Sequence, residues 1–354
     1  MSDSDDSDDG AGRRRQPTIV EVADRAGVAI GTVSRYLNGH PVRRSNRDQI
    51  EQAIGELGYR RNAIAAAMKG DLTNTVGFLV PSISEFHAAV LDKLSHEMRR
   101  AGRALITYSH AAEPRSVSEA LDFFAAHRVD CLVMDGRRDV DDRINELISS
   151  GTPVVFYDNG WPGLPVDRVI VENRASSFRA VTHLLDIGHT RIAVLTGNIE
   201  DWNGRERFEG YRQAMLGRGI DLNPDYILDT HWNEAQAHSG VLKLLSLAEP
   251  PTALFCCNYN MGIGALRLLR ERGLRVPDDI SLISFDDVPL FQLSGITAIA
   301  QPVEEIAETI ASIVALRLSE RGVSHEPHTI TLNCNIILRG STRRLLTPST
   351  LASH

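Results

Sequence analysis

The chain has 354 residues, 42% apolar and 24% charged, enough for two or three domains with a sizeable core. No run approaches the roughly eighteen consecutive apolar residues of a membrane span, and the opening "MSDSDDSDDGAG" is acidic where a secretory signal is basic and apolar. A cytoplasmic location is therefore expected, with no membrane partner. The net charge of −8 is unevenly spread: residues 1–12 carry −5, residues 13–70 carry +6 and the remainder −9. A small basic module on a large acidic body points to an anionic partner for the module.

Residues 1–15, five Asp and then Arg13, Arg14 and Arg15, read as a disordered tail. Thr18 with Glu21 three residues on forms a capping-box pattern, and Ile19, Val22, Ala23 and Ala26 recur at helical spacing. Gly27 supplies a sharp turn. A second helix is predicted over Ile30 to Leu37, stopped by Asn38-Gly39-His40-Pro41, and a third from about Asn46 to Gly58. Two short helices joined by a tight Gly turn make a helix-turn-helix, whose second helix can enter the major groove. Val33 and Leu37 are assigned to the core. Thr32, Ser34 and Arg35 project as polar groups, and Arg43, Arg44 and Arg47 are placed for phosphates. A plain helical hairpin that binds nothing is the structural alternative.

"TIVEVADRAGVAIGTVSRYLNG" and "IEQAIGELGYRRNAIAAAMKG" together resemble the DNA-binding head and hinge of the LacI/GalR (lactose-repressor) family. The resemblance implies base contacts from Ile30, Gly31, Thr32 and Arg35, and phosphate contacts from Thr18, Ser34, Asn38, Arg43, Arg44 and Arg47. It also implies a hinge helix around Ala65 that enters the minor groove of a pseudo-palindromic operator as part of a homodimer, with Met68 as the apolar wedge. Arg61 stands where relatives carry Pro. Ile30 cannot hydrogen-bond a base edge, although it can touch a thymine methyl or pack within the head, and Gly31 offers no side chain at all. Direct readout is expected to lean on Thr32 and Arg35.

From about Thr75, apolar strand runs ("TVGFLV", "RALITY", "VDCLVM", "PVVFYD", "RIAVLT", "YILD", "TALFCC", "SLISFDD") alternate with amphipathic helices. That alternation predicts an α/β body of two lobes with parallel sheets. "GIGALR" lacks the third glycine of a dinucleotide fingerprint, and neither a P-loop, a G-x-S-x-G elbow nor zinc-ligand spacing occurs. No enzyme activity, cofactor or metal is expected. Cys131, Cys256, Cys257 and Cys334 read as free buried thiols.

"LLDIGHTRIAVLTG", "RFEGYRQAM" and "LRERGLRVPDDISLISFDD" resemble the same family's periplasmic-binding-protein-like effector domain. The resemblance implies an interlobe cleft for a small effector, expected to be a carbohydrate, with a purine or other metabolite left open. Its residues would be Arg205, Asp158, Asp286, Asn258 and the stacking aromatic Trp232, with Asp201, Trp202 and Asn203 at the rim. Phe86 and His87 would fill the place of a missing Asn-Pro-aromatic element. Asp158 or Asp286 capping a helix, and Trp232 packing a lobe, are the structural alternatives. Departures at Glu172-Asn173 and Asn258-Tyr259 separate this cleft from a lactose-like one. The expected organisation is a tail (1–15), head (16–62), hinge (63–74), effector-binding and dimerisation body (75–342) and flexible C-terminal tail (343–354). The competing reading is a cytosolic metabolite-binding module whose helical head serves dimerisation or partner docking.

Overall fold

The computed structural model describes residues 17–37, 39–59, 72–111, 113–138, 140–320 and 326–345. The tail, the expected hinge with Ala65 and Met68, and Asn38 lie outside these residues. The chain divides into two compact units between Thr73 and Asn74.

Three helices make up the described part of the first unit. α1 (Ile19–Ala26) starts at Thr18, whose hydroxyl accepts the Glu21 N–H at 3.3 Å while the Glu21 carboxylate accepts the Thr18 N–H at 2.6 Å. It ends at Gly27, φ 63°. α2 (Ile30–Leu37) and α3 (Arg44–Leu57) follow. α3 begins at Arg44 rather than Asn46, entered through Arg43 without a side-chain cap. Val22, Ala23, Ala26, Val33, Ile50 and Ala53 are buried together, with Leu37, Leu57 and Tyr59 packed around them. Each helix lends one stripe, and a small core closes.

The second unit holds two sheets. In lobe 1 the strand order is β11-β5-β4-β3-β1-β2, formed by β1 (Thr75–Val80), β2 (Ala104–Ser109), β3 (Cys131–Asp135), β4 (Val154–Tyr157), β5 (Asp167–Val171) and β11 (Thr329–Leu332). All its pairings are parallel. In lobe 2 the order is β12-β10-β9-β8-β6-β7, from β6 (Ile192–Thr196), β7 (Ile227–Asp229), β8 (Ala253–Cys256), β9 (Ser281–Phe285), β10 (Thr297–Ala300) and β12 (Asn335–Ile337). Only β12 runs antiparallel, against β10. Central strands such as β3 and β6 are buried at every residue, which is why they read as unbroken apolar runs. The four cysteines are buried and unbridged.

Helices α4 (Glu85–Arg100), α5 (Pro114–Ala126), α6 (Asp141–Ser149) and α12 (Val303–Ser319) belong to lobe 1. Helices α7 (Asn173–Asp186), α8 (Trp202–Gly217), α9 (Glu234–Leu245), α10 (Tyr259–Glu271) and α11 (Pro289–Ser294) belong to lobe 2. The chain passes between lobes after β5, after β10 and between β11 and β12. Glu172 staples the first crossing to the third: its carboxylate accepts from Arg179, from Ser176 and from the Cys334 N–H. Residues 343–345 are docked rather than a free tail. The Arg343 N–H donates to the Ser281 hydroxyl at 3.1 Å and the Leu345 N–H to the Ile187 carbonyl at 2.9 Å.

Lobe 1 also carries a buried ion pair. Arg317 of α12 donates twice to Asp167 of β5, at 2.7 and 2.6 Å, and the His328 N–H, just before β11, donates to the same carboxylate at 2.9 Å. Removing one partner leaves an uncompensated buried charge. Asp167→Ala is expected to destabilise the body by about 3–5 kcal/mol in a denaturant titration, and a loss under about 1 kcal/mol would contradict a structural role for the pair.

Candidate effector cleft and DNA-binding head

In parallel α/β sheets, ligands bind beyond the carboxyl ends of the strands. The body concentrates its unusual geometry there. Asp158 after β4, Trp232 after β7 and Asp286 after β9 have φ of 64°, 62° and 70°, the left-handed region that non-glycine residues rarely enter. Three side chains expected in the cleft are thus aimed by strained backbone.

A hydrogen-bonded chain crosses between the lobes. Asn203, in the first turn of α8, donates Nδ2–H to Asp158 Oδ1 at 2.8 Å, and its N–H donates to Asn159 Oδ1 at 3.2 Å. Asn173 at the start of α7 donates to Asn203 Oδ1 at 2.9 Å and accepts from Arg207 Nε at 2.7 Å. Arg207 Nη1 also donates to the Cys257 carbonyl at 2.6 Å, and its guanidinium lies 3.6 Å from the Phe285 ring centroid. Arg207 is 3% exposed and its hydrogen bonds go to neutral acceptors. A second tie joins the first turn of α4 to α10, where the Glu85 N–H donates to the Tyr259 hydroxyl at 3.2 Å.

The arginine in this network is Arg207, not Arg205. Arg205 is exposed, with its guanidinium 5.0 Å from the Trp161 ring and 5.6 Å from the Trp202 ring. Helical spacing explains the difference: Asn203, Arg207, Gly210, Tyr211 and Ala214 share the buried face of α8, and Arg205 lies round the helix from it.

The other expected residues divide between lining and bracing. Trp232 donates its indole N–H to Asp201 at 2.7 Å, and its ring occupies the place where a Cβ on Gly197 would sit, so residue 197 has to be glycine. Asp201 caps α8 through the Gly204 N–H at 2.7 Å. Asn258 caps α10, accepting the Met261 N–H at 3.0 Å. Asp286 accepts from Gln301, on the second crossing, at 2.7 Å. Phe86 is half-buried beside His87, the rings 5.2 Å apart. His87 Nδ1 lies 2.8 Å from the Tyr157 hydroxyl. Deeper in lobe 1, His110 pairs with Asp135 at 3.1 Å, both buried.

Burial sets the charge states. It pushes the Asp158 carboxyl from 3.8 up to about 6, against the pull of Arg207 and the Asn203 hydrogen bond. Burial likewise holds His87 down at about 4, a neutral imidazole at physiological pH, despite nearby Asp135 and Asp286. Asp201 is raised, again chiefly by burial.

In the head, α2 turns Val33 fully into the core and leaves Ile30 43% exposed, so Ile30 is not a core residue. Gly31 and Arg35 are exposed, one helical turn apart and opposite Val33; Thr32 and Ser34 are half-buried. Among the described residues Arg35, Arg43 and Arg44 form no ion pair. Arg47 is tied to Glu51 at 2.9 Å, and the Tyr36 hydroxyl donates to the same carboxylate at 2.8 Å. Thr18 differs from expectation. Its N–H and its hydroxyl proton both go to Glu21, at 2.6 and 3.0 Å, so it has no donor left for a phosphate and serves the α1 cap.

Basic head and binding body together define a ligand-responsive, DNA-binding transcriptional regulator. Comparison with known proteins agrees. Residues 18–62 match the model for bacterial regulatory proteins of the lacI family, and residues 181–342 match the periplasmic binding protein-like domain. The chain is 30% identical to the HTH-type transcriptional repressor PurR of Vibrio campbellii over 93% of this chain and 99% of that protein. Among solved structures, the transcriptional regulator CelR in complex with cellobiose is 27% identical, with a TM-score of 0.69 over 92% of this chain and all of that one. A regulator from Enterococcus faecium with bound ribose is 25% identical, with a TM-score of 0.70 over 77% of this chain and all of that one. The chain belongs to the LacI/GalR family, whose members are DNA-binding regulators rather than enzymes. Among the described residues no helix is long and apolar enough to cross a membrane.

The raised Asp158 carboxyl gives a pH signature. A carboxyl whose folded value lies above its unfolded one contributes stability below about 3.8 that is lost as pH rises through about 6. Asp158→Asn keeps an acceptor for Asn203 without the charge. Its melting temperature relative to the native chain is expected to rise between pH 4 and pH 7, and parallel profiles would contradict the assignment.

Proposed function

We propose that the chain is a homodimeric repressor whose effector, a polyhydroxylated metabolite, binds between the lobes against Arg207, Asp158, Asp286 and Trp232, with His87 and Phe86 facing it from lobe 1. The observation that carries this is Arg207, a buried cation that, among the described residues, bonds neutral acceptors in the cleft and lies over the aromatic ring of Phe285. Charged groups bond strongly and directionally to hydroxyls, and the indole face of Trp232 suits the apolar side of a ring. Relatives solved with cellobiose and with ribose favour a sugar. Asn203, Asp201 and Asn258 hold the loops in place.

In the head, Arg35 and Thr32 read bases, with Ile30 against a thymine methyl and Gly31 allowing close approach. Arg43, Arg44, Ser34 and the free edge of Arg47 take phosphates. Asn38, Ala65 and Met68 keep their expected DNA roles: phosphate contact for the first, minor-groove contact for the other two. The proposed boundaries are head 16–62, hinge 63–74 and body from residue 75. A second copy gives α11 a partner for its outward Leu290 and Leu293, which are 44% and 87% exposed. The effector acts by binding one arrangement of the lobes better than another, the only way a ligand shifts an equilibrium.

Arg35→Ala is expected to weaken binding to a genomic site selected by the full-length protein by roughly 1–3 kcal/mol while sparing random DNA. Arg43→Ala is expected to weaken both alike and to flatten the salt dependence. Fluorescence anisotropy against selected and scrambled duplexes checks both. If each variant lost only specific binding, or neither lost any, the division into base and phosphate contacts would be wrong.

A further inference from the structure

The cleft rim carries a feature that a neutral sugar does not use. Arg138, just after β3 in lobe 1, and Arg205 of α8 in lobe 2 each place a guanidinium carbon 5.0 Å from the ring centroid of Trp161. Both are exposed, and among the described residues neither has a carboxylate or a hydrogen-bond acceptor. The buried carboxylates nearby are already satisfied: Asp158 by Asn203, Asp201 by the Gly204 N–H and Trp232, Asp135 by His110.

The platform under these cations is built rather than incidental. Trp161 is 8% exposed, and its loop is pinned by Arg168, which donates to the carbonyls of Trp161, Val166 and Leu164 at 2.8, 2.9 and 2.8 Å. The loop bearing Arg138 is pressed against the Asn159 carbonyl, where a Cβ on Gly136 would lie 2.0 Å from that oxygen, so only glycine admits the approach. Trp202 meets Trp161 edge-on at 6.2 Å, completing an aromatic floor. A guanidinium stacked on an indole is held in position yet keeps its in-plane N–H donors open. That geometry accepts a phosphate or carboxylate through paired hydrogen bonds.

We infer that the effector carries an anionic group, a phosphate or a carboxylate, taken at this rim by Arg138 and Arg205 beside Trp161. The inference rests on the cleft being the effector site. It adds a reason for the switch: an anion that needs one arginine from each lobe is bound best when the lobes are together, which is the differential affinity a switch requires.

The chain's three tryptophans are Trp161 and Trp202, which meet edge-on beneath the two arginines, and Trp232, which bonds Asp201, so intrinsic fluorescence reports on this region. Full-length protein at low salt is titrated with matched pairs, glucose against glucose 6-phosphate and ribose against ribose 5-phosphate, and with gluconate and inorganic phosphate. At least one anionic member is expected to bind about tenfold or more tighter than its neutral partner, the worth of a charged hydrogen bond. Arg138→Ala and Arg205→Ala, with unchanged melting temperatures, are expected to erase that preference while Arg205→Lys retains part of it. Equal binding of neutral and anionic partners, or a preference that survives both alanine variants, overturns the anion site and leaves the cleft reading standing. No response to any probe counts against both.

Discussion

A carboxylate buried between two lobes must be answered from the opposite lobe, and here the answer to Asp158 is Asn203. The Asn203 amide donates to Asp158 and accepts from Asn173, which in turn accepts from Arg207. Each member uses a donor or acceptor that would otherwise be buried without a partner, so the set is favourable only when complete. Separating the lobes opens it at the Asp158–Asn203 bond, and a ligand that replaces or reinforces that bond changes the balance between lobe arrangements. The strained backbone at Asp158 and Asp286, and the first and third chain crossings stapled by Glu172, fix where the network forms.

This arrangement separates two chemical tasks. The body ties its buried charges into hydrogen bonds, as at Asp158, Arg207 and the Asp167–Arg317 pair; among the described residues of the head, Arg35, Arg43 and Arg44 have no acid partner. Unpaired exposed cations are poor contributors to folding and good ones to phosphate and base recognition. The acidic body also repels DNA, which confines the nucleic acid to the basic module.

Much of this was legible in the sequence, and the failures have physical causes. The capping box at Thr18 and the Gly27 turn located α1, and apolar runs located the inner strands within a residue or two of their ends. β5, β10, β11 and β12 escaped because three are short, at three or four residues, and all four adjoin chain crossings, where pairing comes from distant chain and not local pattern. In the site, the sequence points to Asp158, Asn203, Trp232 and Arg205, whereas the arginine of the buried network, Arg207, goes unremarked. The signal was present: Asn203 and Arg207 are one helical turn apart on the face that also carries Gly210 and Tyr211. The His110–Asp135 pair and the Asn173 relay join residues 25 and 30 or more positions apart and had no local signature.

The proposed function requires the lobe–lobe network in the body to set the affinity of the head for DNA. The most direct test is the operator affinity of Asn203→Ala against the native chain, on a genomic site isolated with the full-length protein and without added effector. Asn203 lies in the body, not in the DNA-binding head, and the substitution removes the side-chain bonds to Asp158 and Asn173 while keeping the backbone N–H bond to Asn159. The expected change is about fivefold or more, the lower end of ordinary coupling between sites, with affinity for random DNA unaltered. Identical operator affinity for the two proteins, both folded, would contradict it.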